Sequence, residues 1–388
     1  FLRGNLFPID RELDAVCEVV GEVPAGLRGS FVRNGPNPMF EPLGKYHMFD
    51  GDGMLHRVHF GEGAPTYRNR WIRTAALDAE IRNGRALYHG LAELLEFPDP
   101  ALVGDAGPIK NPANTHIVRH AGRMLALWAG GPPTAVTPAL DTVPHYHSVL
   151  LDSPARFNLS GDGGDMMRWQ PELGTRVGVL PRFGAGADVR WFEVDPGHVQ
   201  HFWNAWEEGD EVVFSGSVLR HADFGMDGGD LDESSADATA GRPGEFRVNL
   251  ATGSASWRDT DDLGGDFCRF DDRRTGRPSR YRYMSAFLGD NDLIGDFDTI
   301  VKYDDANGGR DLWHAGDRCG VGEAVFAPDP EGSAEDDGWL LCTVYDERDR
   351  TSEVVILDAR DVTAGPIARV RVPQRMPFGF HANWFAEA

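Results

Sequence analysis

The chain has 388 residues, 61 acidic against 38 basic side chains for a formal net charge of -23, and 41% hydrophobic residues. That apolar content is enough for a packed core and excludes a disordered chain, while the charge excludes polyanionic partners, nucleic acid above all. No apolar run approaches the roughly 20 residues that cross a bilayer, and the four cysteines stand singly, which excludes a disulfide framework or thiolate metal site and points to a reducing, cytoplasmic setting.

In chain order, helical spacing is confined to two short stretches, Ala75–Glu80 and Leu91–Leu95. Strand-length runs come next at Arg119–Leu127 and Ser148–Leu151, then at Glu211–Val218 and Glu245–Leu250. Two more, Gly338–Tyr345 and Ser352–Leu357, lie towards the end. Each is rich in Val, Leu, Trp or Phe and bounded by turn formers, drawn from 47 glycines and 25 prolines spread along the chain. The acidic stretch Met226–Gly244 reads as a surface loop or disordered insertion. Many short strands at even spacing indicate a sandwich, a barrel or a propeller, and at roughly 40–50 residues per blade the length suits a multi-bladed ring.

Thirteen histidines are the candidate metal ligands, because neutral imidazole suits iron, zinc and copper alike. No HExxH helix, His-x-His strand pair with a nearby carboxylate triad, or GxSxG elbow organises them. A propeller needs none of these, since inner strands converge and can bring together histidines far apart in sequence. Two contexts are distinctive: His198-Val-Gln-His201-Phe-Trp-Asn204, and Pro377-Phe-Gly-Phe-His381-Ala-Asn-Trp384.

At Gly21 to Pro38, with Arg33-Asn34-Gly35-Pro36-Asn37-Pro38 at its end, the sequence resembles the carotenoid cleavage oxygenase family. His47-Met-Phe49-Asp50-Gly51-Asp52-Gly53, Tyr67 to Thr74, Gly178 to Arg182, Val189 to Glu193, Asp337 to Leu341 and Leu357 to Asp361 continue the likeness. The resemblance implies an all-β fold, a seven-bladed β-propeller with a helical and loop cap over one face, in a single domain spanning 1–388. It also implies Fe(2+) on four histidines, of which His201 and His381 match the third and fourth. Glu323 and Asp266 match two of the carboxylates that orient iron-bound imidazoles, Asp266 being one methylene shorter than the family's glutamate. Ala129 stands where the remaining glutamate is expected. His116 lies in a family-like strand away from the ligand positions, and His47, His56 and His59 read as structural or surface residues.

Two family motifs, Thr-Ala-His-Pro and Met-His-Asp, are missing. The chain runs from Val143, as before the first, directly to Pro144, as after the second, so an internal segment of more than one blade is absent between 143 and 144. His147 stands at the wrong offset to replace either histidine, and His145 and His147 flank a strand. The resemblance implies a non-haem iron(II) dioxygenase that cleaves a conjugated C=C bond of a carotenoid or apocarotenoid into two carbonyl products, with no catalytic residue beyond the metal site. Its partners would be an apolar polyene or stilbene-like molecule and O2, with weak peripheral membrane contact through an apolar patch. A stilbene-cleaving enzyme and a catalytically degenerate propeller that binds apolar ligands are the alternatives. The segment Trp128-Ala129 lacks the phenol-binding lysine of stilbene-cleaving relatives, which leans the reading towards the polyene. Phe202, Trp203, Trp206, Phe378 and Phe380 are the candidate tunnel aromatics.

Overall fold

Short runs of β-branched and aromatic residues between Gly and Pro leave the chain little but sheet to form. The computed structural model describes residues 2–120, 123–137, 142–143, 155–157, 167–180, 186–221, 241–288 and 297–387. Five sheets have four or more strands, and two further sheets are two-stranded ribbons, Ala155–Phe157 with Met167–Trp169 and Thr175–Val179 with Arg190–Val194. The sheets are of propeller-blade type, each an antiparallel run. Seven blades were expected, and the described residues build five. The ribbons, at two strands each, are too narrow to count as blades.

The chain divides into two compact units. The first comprises Phe1–Ser148, Gly289–Ile300 and Asp311–Ala388. Its five-stranded sheet runs Asp14–Val16, Thr66–Trp71, Gly53–Phe60, Gly29–Pro36, Ala382–Ala386, so the last strand of the chain pairs with one of the first. A six-stranded sheet likewise takes the early strand Glu18–Gly21 beside Pro366–Arg371. Joining the two ends of a chain through sheet hydrogen bonds removes edges that would otherwise be open. Phe31, Val58, Tyr67, Leu341, Ile356 and Val370 meet in the core beneath these two sheets. A third sheet holds His116–His120, Arg123–Trp128, Gly131–Val136 and Thr142–Val143. The run Arg119–Leu127, which reads as one strand, is therefore two, paired antiparallel with His120 opposite Arg123.

The second unit comprises Val149–Leu288 and Val301–Arg310. Its sheet of His198–Glu208, Glu211–Leu219, Arg242–Asn249 and Ala255–Asp259 buries Phe214, Val218, Phe246 and Val248 against Val177 and Phe192. Phe214 and Phe246 stack at 4.5 Å between ring centroids. The fifth sheet is Gly265–Phe270, Tyr281–Ala286, Thr299–Asp304 and Gly309–His314. Met226 to Ala240 of the acidic stretch lie outside the described residues, and Arg242, Pro243 and Gly244 begin a strand.

Helix is scarce. Ala75–Asn83 starts on Thr74, whose side chain accepts from Leu77 N–H, and stops at Gly84, which takes the left-handed conformation that a side chain resists. Leu91–Glu93 is a single 3-10 turn. Among the described residues no helix is long and apolar enough to cross a membrane.

Candidate metal centre

Each unit carries one motif histidine with its Nδ1 against a carboxylate. In the second unit, His201 Nδ1 lies 2.9 Å from both Asp266 Oδ1 and Asp266 Oδ2. Both residues sit at irregularities of their strands. The ladder slips between Val199 and His201 and again between Phe202 and Ala205, and it slips once more after Asp266. Such bulges twist a strand and re-aim its side chains, a feature common beside functional sites. Phe267, next to Asp266, adopts φ 57°, a left-handed conformation that costs a bulky residue roughly 1–3 kcal/mol and persists where surrounding structure enforces it. Its ring lies 5.8 Å from that of His201. Gly216, opposite Phe202, leaves no room for a Cβ, which would stand 2.4 Å from the His201 carbonyl oxygen.

In the first unit, His381 Nδ1 lies 3.0 Å from Glu323 Oε1, while Glu323 Oε2 accepts from the Ala382 N–H at 2.7 Å. The Glu323 side chain is 2% exposed and that of His381 is 12% exposed. The His381 backbone donates to the Thr115 carbonyl and its own carbonyl accepts from Asn34 N–H. The Arg33-Asn34-Gly35 motif thereby fixes where the imidazole stands. Gly35 and Gly379 allow the two backbones to pass, since a Cβ on Gly35 would lie 2.6 Å from Gly379 Cα.

The physical sense of the arrangement is general. A carboxylate at Nδ1 favours the tautomer with its proton there, which makes Nε2 the nitrogen that carries the lone pair. An imidazole held in this way suits a divalent transition ion. Among the described residues no group of three or more His, Cys, Asp or Glu side chains converges as a metal cluster.

One neighbour escaped the sequence reading. The His116 ring lies 4.8 Å from that of His381. Its strand follows Asn114-Thr115, and the Thr115 carbonyl binds the His381 N–H, but no local spacing signals this pairing. His47 and His56 are buried and His59 is half-buried against Ser30 and Glu387. His56 bonds Tyr67, and burial, with Arg33 and Arg375 nearby, pushes its pKa well below the usual histidine value. His145 and His147 lie outside the described residues. Ala129 is exposed at the turn after Arg123–Trp128.

Of the candidate aromatics, Trp203 is buried against Arg282 and Tyr303, and Trp206 binds Glu208 at the surface. Phe202 is exposed and packs on Phe214. Phe380 and Phe378 are buried beside His381, and Phe380 meets Phe49 at 5.3 Å. Phe49 in turn lines a cavity of the first unit, shared with Tyr46, Tyr88, Lys110 and Trp128. A lysine does stand near Trp128, supplied by the preceding segment and not by position 129.

Comparison with known proteins agrees with this geometry. The profile of the retinal pigment epithelial membrane protein family matches residues 6–148 and 142–386 in two pieces. The chain belongs to the carotenoid cleavage oxygenase family. Its members include a carotenoid 9,10(9',10')-cleavage dioxygenase 1 of Arabidopsis thaliana, 29% identical over 489 aligned positions that cover 100% of this chain and 90% of the relative. An isoeugenol monooxygenase of Pseudomonas nitroreducens is 26% identical, with 99% and 97% covered. The crystal structure of a lignostilbene dioxygenase from Pseudomonas brassicacearum superposes with a TM-score of 0.86 at 24% identity, covering 100% of this chain and 98% of that one. Like its relatives, this carotenoid-cleavage-oxygenase-type chain is an oxidoreductase.

Proposed function

We propose that this family member is a non-haem iron(II) dioxygenase that cleaves a conjugated C=C bond of a carotenoid or apocarotenoid into two carbonyl products. The observation that carries the reading is that His201 and His381, the two histidines in family metal motifs, each present Nδ1 to a carboxylate at 2.9–3.0 Å. In this reading Nε2 of each imidazole would be a metal donor, with Asp266 orienting His201 and Glu323 orienting His381. Iron, when bound there, supplies the oxygen chemistry. The protein's part is to align one double bond of an apolar substrate and to keep water away. The cavity beside Phe49 and Phe380 is the candidate substrate site. Because it contains Lys110, Tyr46 and Tyr88, the sequence argument against a phenolic stilbene loses its ground, and that substrate stays as the second choice. Leu95, Phe97 and Ile109, all exposed, support weak apolar contact with a membrane surface, and four buried free thiols suit a cytoplasmic setting.

A different reading, a degenerate ligand-binding propeller, draws on the missing blades. The family profile breaks into two pieces that meet at 142–148, and 489 aligned positions exceed the 388 residues present. Both facts support an absent segment between Val143 and Pro144. Iron content after anaerobic Fe(II) loading, on protein from the complete gene, separates the readings. Stoichiometric iron that is lost in His201→Ala and in His381→Ala supports the dioxygenase. No iron retained after dialysis, in a gene that joins Val143 directly to Pro144, sinks it.

A further inference from the structure

Another cavity of the first unit, smaller than the one beside Phe49, lies among Asn5, Arg33, Gly322, Thr343 and Tyr345. The room between them suits one water molecule or one monatomic ion. Among the described residues no acidic side chain lines it. Arg33 and Thr343 are buried. Arg33 Nη1 donates to Thr343 Oγ1 at 3.3 Å and Nη2 donates to the Pro377 carbonyl, so both acceptors are uncharged. A second guanidinium stands behind the wall. Arg375 donates to the Asn5 carbonyl at 2.9 Å and to the Phe7 carbonyl, again neutral oxygens. Both arginines add to burial in pushing the His56 pKa down, the mark of a positive local potential inside a chain of net charge -23. Glu323 follows Gly322 in the chain, but its oxygens are taken by His381 Nδ1 and Ala382 N–H.

Two features leave a donor open to a ligand. A hydroxyl has one proton to give, and Thr343 Oγ1, which accepts from Arg33, gives its own to no acceptor among the described residues. Gly322 supplies the space. Its φ is not positive, so conformation does not demand glycine there, yet a Cβ would stand 2.4 Å from Thr343 Oγ1. Taking a cation out of water is costly unless an opposite charge meets it, and a neutral water does little to offset that cost. An anion gains charge-assisted hydrogen bonds from the same groups, and the room available excludes polyatomic oxyanions. We propose that this cavity is a halide site, a chloride ion held by the Arg33 guanidinium and the Thr343 hydroxyl beside Tyr345. Arg33 rides on Gly29–Pro36 and Thr343 on Gly338–Asp346, strands of two different sheets. The ion would therefore tie those sheets together, and its binding needs no iron.

The test is urea unfolding of the purified chain without added metal, with sodium chloride exchanged for sodium gluconate at constant ionic strength. An anion that binds only the native state shifts the unfolding equilibrium by one plus its concentration over Kd, about elevenfold at ten times Kd. The midpoint should rise saturably with chloride, and with bromide in its place. Thr343→Val, which removes the hydroxyl at nearly constant shape, should weaken the apparent chloride affinity about three- to tenfold. Gly322→Ala, which fills the space, should abolish the chloride-dependent rise. Where one variant fails to fold the other carries the comparison. Wild-type crystals grown in bromide give a reading that depends on neither, an anomalous peak beside Arg33 and Thr343. Equal midpoints in chloride and gluconate, a saturation curve unchanged in the folded variants, sulfate that saturates at lower concentration than chloride, or bromide crystals with no peak in the cavity would each overturn the proposal.

Discussion

Glu323 serves two donors with two oxygens. Oε2 takes the Ala382 N–H that opens the last strand, and Oε1 meets His381 Nδ1. Glutamine at 323 would present an amide NH2 to one of two donors, so one contact must fail. Asp266 is in a different position, because both of its oxygens lie 2.9 Å from one nitrogen and no backbone donor competes. Partners that orient ligating histidines are typically worth about 10- to 100-fold in metal affinity. Glu323→Gln is thus expected to weaken Fe(II) binding by that order and also to lower the melting temperature. Asp266→Asn should weaken binding comparably at nearly unchanged stability. Competition against a colorimetric chelator, with calorimetry alongside, reads both effects. Equal iron affinity in wild type and both variants would remove the carboxylates from the site. Neither pairing is visible as local spacing, since 58 residues separate Glu323 from His381 and 65 separate Asp266 from His201. Both were legible only through motif likeness, and His116 beside His381, which lacks a ligand motif, was not legible at all.

At the scale of elements, the strands read easily where alternation and turn formers coincide. Glu211–Leu219, Thr351–Asp358 and Gly338–Asp346 fall within a residue or two of their sequence limits. The failure at Arg119–Leu127 has a physical cause. The sequence between the two strands, Ala121-Gly122, lacks the Asn-Gly or Asp-Gly signature of a tight hairpin. The helix Ala75–Asn83 was half-visible, its spacing legible over Ala75–Glu80 but its cap at Thr74 and its stop at Gly84 seen only in the structure. What holds it in place was not visible. Glu80, on its buried face, reaches Lys110 and Leu87 N–H, and Asp52 shares the ammonium. Burial works against the Lys110 charge, but the two carboxylates outweigh it and hold the pKa above the ordinary lysine value. Removing the cation strands two buried carboxylates at a cost of about 3–5 kcal/mol, whereas removing the Thr74 cap costs about 1 kcal/mol. Lys110→Met should therefore lower the unfolding free energy in urea several times more than Thr74→Ala. A larger effect of Thr74→Ala would mean that the helix is held by its own cap and not by the ion pair.

For the molecule as a whole, sheet content and blade type follow from the punctuation of the sequence, but blade number does not. Divergent blades share no repeat that could be counted, and a length of 388 residues fits several rings. The five blades built by the described residues bear on the proposed iron site, because the two motifs that the resemblance leads one to expect are absent and the family profile splits where they would fall, at 142–148. Two imidazoles offer an ion too few ligands to survive dialysis, so the 388-residue chain is expected to retain far less than one iron per chain. Grafting the corresponding segment of a carotenoid-cleaving relative between Val143 and Pro144 would supply the two absent histidine motifs directly after the strand Thr142–Val143. The graft should raise retained iron towards stoichiometry and raise the melting temperature together, because metal bound only by the native state stabilises it. Full iron in the ungrafted chain would point the other way. The ligand set would then have to be completed from residues already present, and His116, 4.8 Å from His381, is the first to replace: loss of iron in His116→Ala would identify a family member that has rebuilt its site around the gap.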